Sequence, residues 1–144
     1  MENFTVLLVD DELEFLETLV KRLTKRGLHI TVASSGEEAL AVIKERKFDV
    51  SVLDVRMPGM DGIETLREMK KIAPLMEVIM LTGHASVEVA IEGMELGAFD
   101  YLMKPADFDD LTAKLQAARK RKDEQEERIR KAEATLLVRR SGSA

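Results

Sequence analysis

Asp54 follows the apolar run Val50-Ser51-Val52-Leu53 and opens the segment Val55-Arg56-Met57-Pro58-Gly59-Met60-Asp61-Gly62. A carboxylate at the carboxyl end of a buried strand stands where open α/β sheets bind their ligands. The pair Asp10-Asp11 follows Val6-Leu7-Leu8-Val9, and Lys104 follows Phe99-Asp100-Tyr101-Leu102-Met103. Acids and a lysine gathered at strand ends suit a metal ion beside a phosphoryl group. Neighbouring carboxylates raise one another's proton affinity unless a cation neutralises them. Oxygen ligands without histidine or cysteine favour a hard cation, Mg2+ or Mn2+. A carboxylate can attack phosphorus to give an aspartyl phosphate, and positioning plus charge neutralisation lowers that barrier. Asp54 is therefore the expected phosphoryl acceptor, with Lys104 pairing with it at rest and with a phosphoryl oxygen afterwards.

Lys104 directly precedes Pro105, and a cis peptide bond there would fix how the ammonium points inward. Thr82 follows Val78-Ile79-Met80-Leu81 and offers a hydroxyl at the same sheet edge. Each residue also has a plainer reading. Asp10-Asp11-Glu12 could cap the first helix, where acids oppose the dipole. A single lysine is usually a solvated surface residue. Thr82 could cap the helix after Gly83-His84-Ala85-Ser86, Tyr101 could be a half-buried packing residue with a wet hydroxyl, and His84 an exposed loop residue. Convergence on Asp54 is what favours the chemical reading.

The elements that must position these groups are short apolar runs alternating with segments of helical period. The runs at 6–9, 30–33, 50–53 and 78–81 are short and rich in β-branched residues, as suits strands covered on both faces, and 99–103 is a weaker fifth. Phe15, Leu16, Leu19 and Leu23 recur at helical spacing, as do Ile63, Leu66 and Met69, then Val87, Ala90, Ile91 and Met94. Ser35 is the expected cap of a helix beginning at Gly36, with Glu38 completing a capping box; Gly27 and Gly97 fit helix exits. Five βα units in a row imply a doubly wound α/β fold with a parallel sheet and right-handed crossovers. Periodicity does not give the strand order. After Asp107 the helical rhythm runs on through Phe108, Leu111, Leu115 and Ala118, then Lys122, Gln125, Ile129, Ala132 and Leu136. That register suits a coiled-coil seam weakened in its middle by Lys122 and Gln125.

The 144 residues allow one domain and an appendage, and 45% hydrophobic content is enough for a core. A net charge of −5 argues against whole-domain affinity for nucleic acid, and no cysteine is present for disulfides or thiolate metal sites. No signal peptide or membrane-spanning run is evident, so a cytoplasmic location is expected.

With these residues in place, the chain resembles the receiver domain of bacterial two-component response regulators over roughly residues 4–120. Asp54 through Gly62 matches the phosphorylation-site loop, Asp10-Asp11 the acidic pair, Leu81-Thr82-Gly83 the switch threonine, and Lys104-Pro105 the lysine motif. The resemblance implies a flavodoxin-like (βα)5 fold with strand order 2-1-3-4-5. It implies phosphorylation of Asp54 by a histidine kinase or phosphotransfer protein. Asp11, Asp54 and the Arg56 backbone carbonyl would hold Mg2+, with Asp10 acting through water. Thr82 and Tyr101 would form the switch, and Arg56 and His84 would tune phosphoryl lifetime. The helices after Thr82 and Lys104, with the fifth strand, would be the output face. Ala106 stands where the family often has Phe. Thr82 through Ser86, with Gly97 through Tyr101, looks most like receivers of NtrC-type activators.

The implied organisation is a receiver domain over 1–121, a helical extension over 122–140 and a disordered tail over 141–144. A stand-alone receiver, a piece of a longer NtrC-like regulator and an aspartyl-nucleophile phosphatase are the readings left open. The phosphatase is disfavoured because Asp10-Asp11-Glu12 lacks the Asp-x-Asp spacing of haloacid dehalogenase-like enzymes. The basic run Arg119 to Lys122 meets Asp123-Glu124-Gln125-Glu126-Glu127 at once, a pattern of a solvated helix face rather than a nucleic-acid patch. Partners are thus expected to be proteins, including a second copy through the output face and C-terminal helix.

Overall fold

The computed structural model describes residues 3–55, 61–83 and 87–142. Five strands, β1 (Thr5–Val9), β2 (His29–Ala33), β3 (Val50–Leu53), β4 (Glu77–Thr82) and β5 (Asp100–Met103), alternate with five helices, α1 (Leu13–Lys25), α2 (Gly36–Glu45), α3 (Gly62–Ile72), α4 (Val87–Glu95) and α5 (Phe108–Gly142). The strands form one parallel sheet in the order β2-β1-β3-β4-β5. Every residue of β3 and β4 is buried, which explains why these strands read as apolar runs rather than as alternations.

Side chains alternate across the sheet and build two cores. Leu7, Val9, Leu53, Val78 and Met80 pack with Ala39, Ile43, Leu66 and Met69 from α2 and α3. Val6, Leu8, Val50, Val52, Ile79 and Leu81 pack with Leu16, Leu19 and Leu23 of α1 and Leu111, Leu115 and Ala118 of α5. Each fully buried aliphatic side chain contributes about 1.5–3 kcal/mol relative to exposure, so the two-sided sheet is a rigid base for what its edge carries.

Helix ends follow the sequence with one difference. Gly27 and Gly97 take positive φ after α1 and α4, as helix exits require. Ser35 caps α2 by accepting from the Glu38 N–H at 3.1 Å, but the Glu38 carboxylate turns to Ser34, accepting from its hydroxyl at 2.9 Å and its N–H at 3.3 Å. A neighbouring hydroxyl and N–H together outbid the single Ser35 N–H of a standard capping box.

The last helix continues unbroken for 35 residues. Ser141 and Gly142 belong to its final turn; 143–144 lie outside the described residues. Lys122, expected to weaken a coiled-coil seam, instead turns back to the domain: its Nζ lies 2.7 Å from Asp49 Oδ1 and 2.5 Å from Glu126 Oε1. The body therefore grips the helix across the expected 121/122 boundary.

Candidate functional site: a carboxylate and lysine cluster at the sheet edge

Strand register assembles the site. Val9 pairs with Leu53, so the next residues, Asp10 and Asp54, emerge side by side at the carboxyl edge. The Asp54 N–H donates to the Val9 carbonyl at 2.9 Å, and the Asp10 N–H to the Ala33 carbonyl at 3.1 Å. On the other side Thr82 pairs with Met103, and the Lys104 N–H donates to the Thr82 carbonyl at 3.0 Å. Backbone bonding thus carries four strands' ends to one edge before any side chain contributes.

Asp10 and Asp54 are only 3% and 4% exposed, and Thr82 is fully buried. Two acids so deeply placed require a cationic partner. Lys104 supplies it: its Nζ lies 2.5 Å from Asp10 Oδ2, 3.0 Å from Glu12 Oε1 and 3.6 Å from Asp54 Oδ2, with the Phe15 ring centroid at 4.3 Å. The expected resting pair Lys104–Asp54 is therefore the longest of three, and Asp10 is the closest partner. The Lys104-Pro105 bond is cis, as the sequence suggested.

Burial raises the proton affinity of Asp10 above the usual 3.8, and the Asp54 charge adds to the rise although Lys104 and the Glu12 N–H oppose it. For Lys104, burial works to lower the value. The hydrogen bonds to Asp10 and Glu12 and the Asp54 charge reverse that, holding the ammonium above 10.5. Excess negative charge in a buried pocket is the condition a divalent cation relieves.

Carboxylate oxygens of Asp10, Glu12 and Asp54 lie within 4.8 Å of one another, a hard all-oxygen set that fits Mg2+. Asp11 is not among the acids so gathered and is exposed. The reason is local geometry. Glu12 has extended backbone, φ −84° and ψ 95°, and its N–H donates to Asp10 Oδ1 at 2.9 Å. The chain bends at exposed Asp11, and the carboxylates of Asp10 and Glu12 on either side of that bend both reach the site. Glu12 is the site residue that the sequence reading missed. Its side chain makes no helix-capping bond, and no spacing in the sequence marked it.

Tyr101 sits on β5 opposite Met80 with its ring against the α2–α4 core, and its buried hydroxyl has no hydrogen-bond partner among the described residues. Burial raises that hydroxyl's proton affinity. The wet hydroxyl expected from sequence is therefore dry. Arg56 and His84 lie outside the described residues. The segment rejoins at Asp61, which caps α3 by accepting from the Ile63 N–H at 2.8 Å. Gly62 follows because a Cβ there would fall 2.2 Å from the Val55 Cα; the helix start presses on the backbone next to Asp54.

Residues 6–116 match the family model described as "Response regulator receiver domain". The chain is 44% identical over 117 residues to the transcriptional regulatory protein ZraR of Escherichia coli O157:H7, covering 81% of this chain and 26% of that protein. It is 36% identical over 127 residues to the DNA-binding transcriptional regulator NtrC of Salmonella typhimurium, covering 88% and 27%. This chain thus spans about a quarter of the length of the curated relatives it matches. Among solved structures, the CheY-like receiver domain protein of Methanospirillum hungatei superposes with a TM-score of 0.81 at 31% identity, covering 84% of this chain and 97% of that one. A receiver domain from Clostridium thermocellum gives 0.78 at 40% identity, with 83% and 96% covered. By sequence, topology and the placement of its strand-end acids and lysine, this chain belongs to the response regulator receiver domain family.

Proposed function

We propose that Asp54 accepts a phosphoryl group from a phosphohistidine of a histidine kinase or phosphotransfer protein. The observation that carries this reading is the convergence of Lys104 Nζ with Asp10 and buried Asp54 at the carboxyl edge of the sheet. An Asp54 carboxylate oxygen forms the new P–O bond as the donor's P–N bond breaks; the electron pair leaves on the imidazole nitrogen, which takes a proton from water. Lys104 shifts towards the incoming phosphoryl oxygens and offsets their charge. Asp11, Asp54 and the Arg56 carbonyl would hold Mg2+ or Mn2+, with Asp10 acting through water. When bound, the cation neutralises charge on the phosphoryl oxygens.

Thr82, two residues beyond the register position opposite Leu53, donates its hydroxyl to the bound phosphoryl group. Tyr101 on the adjoining strand follows, so α4, β5 and the start of α5 form the output face. Arg56 and His84 tune phosphoryl lifetime. The only reaction this reading assigns to the chain is its own phosphorylation and dephosphorylation. Its output is a change of surface for a protein partner or a second copy, with α5 as the contact helix. The names of the ZraR and NtrC relatives favour a transcriptional output in a longer polypeptide as the second reading.

The test is intact-mass analysis after incubation with Mg2+ and acetyl phosphate. One phosphoryl group should be gained by the native chain and none by Asp54→Asn. Multiple turnovers on a phosphomonoester, lost in Asp10→Asn but retained in Asp54→Asn, would instead establish a phosphatase.

A further inference from the structure

Glu12 Oε1 lies 3.0 Å from Lys104 Nζ, yet the two side chains differ sharply in exposure: 59% for Glu12 and 10% for Lys104. The ammonium has three hydrogens. Asp10 and Glu12 accept from it, while Asp54 stands at 3.6 Å, beyond a good hydrogen bond. The Phe15 ring, 4.3 Å away, covers another side of the ammonium. Lys104 is thus drawn towards the β1 side of the site, away from the carboxylate that receives the phosphoryl group.

We infer that Glu12 is a positioning residue, a latch that holds Lys104 away from Asp54 until phosphorylation. This rests on the reading of Asp54 as the phosphoryl acceptor. The physical basis is an exchange of anions. Lys104 must trade one carboxylate for a phosphoryl oxygen, and Asp10 is buried with an N–H already bound to its other oxygen. Glu12 is solvated and ends a flexible side chain, so it is the partner that can be released at least cost. While latched it slows the reaction twice, by occupying the lysine and by adding negative charge where an anionic donor approaches.

Two variants separate contact from charge. Glu12→Gln keeps the shape and removes the charge. Glu12→Asp keeps the charge on a side chain one methylene shorter, which falls short of Nζ. In metal-free full-length protein, Lys104 labelling by an amine-acylating reagent, read by peptide mass mapping, should rise about twofold to fivefold in both variants, in keeping with a half-exposed ion pair. At saturating Mg2+, the initial rate of Asp54 phosphorylation by acetyl phosphate should rise by a similar factor in Glu12→Gln. Unchanged Lys104 labelling in both variants, or native labelling in Glu12→Asp alone, would overturn the latch. So would a phosphorylation rate in Glu12→Gln at or below that of the native chain. Failure of the acceptor reading looks different: the native chain gains no phosphoryl group, or Asp54→Asn still gains one.

Discussion

The Tyr101 hydroxyl is buried with no partner among the described residues, while the rest of the ring packs against the α2–α4 core. An unmade buried hydrogen bond costs about 1–3 kcal/mol. Tyr101→Phe should therefore stabilise the unphosphorylated chain by about 1 kcal/mol in urea unfolding, and a destabilised variant would show that the hydroxyl is bonded after all. Gly62→Ala should act in the opposite direction. Its Cβ would meet the Val55 backbone rather than a flexible side chain, so a loss of about 1–3 kcal/mol is expected, with slower phosphorylation of the adjacent Asp54. Single residues were legible in the sequence to the extent that strand ends were. Asp10, Asp54, Thr82 and Lys104 each follow a recognisable apolar run, and parallel pairing then brings them together. Glu12 was hidden because it was read only as part of a helix start, whereas its own backbone is still extended and precedes α1. The partners of Lys104 were also hidden, since which of several nearby acids lies closest depends on rotamers and register that no spacing encodes.

The grip of α5 on the sheet belongs to the scale of elements. Asp49 and Glu77, at the amino-terminal edge of the sheet beside β3 and at the start of β4, are both buried. Lys122 Nζ binds Asp49 at 2.7 Å, and Arg121 Nε lies 3.5 Å from Glu77. Asp49 is held further by the Thr5 N–H at 2.9 Å. Burial works to raise the Asp49 carboxyl, but Lys122, the Thr5 N–H and the charge of Arg119 outweigh it and set it below 3.8. Burial works to lower Lys122, but Asp49 and Glu126 outweigh it and set it above 10.5. A depressed acid contributes stability above its unfolded value and loses it as pH falls through the folded one; a raised lysine contributes below its unfolded value and loses it as pH rises through the folded one. Asp49→Asn should therefore cost about 1–2 kcal/mol at neutral pH, by an amount level across the neutral range and declining as pH falls below 3.8 towards the lower folded value. Urea unfolding of both proteins against pH measures this directly, and a difference that does not shrink at all as pH falls below 3.8 would reject the charge pairing. The sequence placed a helix here and marked Lys122 as an intruder in its heptads. The clasp itself was not readable, because it joins residues 73 positions apart.

Beyond that clasp α5 leaves the domain, and the molecule as a whole acquires a direction. Residues 128–142 are exposed throughout, including Ile129, Leu136, Leu137 and Val138. A helical arm with no tertiary support is marginal in water, since helices of this length gain most of their stability from packing an apolar face. Ile129 and Leu136 are seven residues apart and Ala132 falls between them, so a seam remains once Lys122 has been committed to Asp49. Two heptads are short for a coiled coil, and the expected association is weak and concentration-dependent. Deleting residues 123–144 should leave Asp54 phosphorylation intact, because Lys122, Asp49 and the whole carboxyl edge of the sheet are kept, while self-association falls. Ile129→Asp with Leu136→Asp should reproduce the loss of association without shortening the chain. Sedimentation velocity over a range of concentrations, with and without beryllofluoride as phosphoryl mimic, reads both effects. A native chain that remains monomeric in both conditions would exclude a second copy and leave a different protein as the partner for the exposed stripe. A shift with beryllofluoride that disappears in the Ile129/Leu136 variant would tie the charge change at Asp54 to the arm, to which β3 connects it through the Asp49–Lys122 pair.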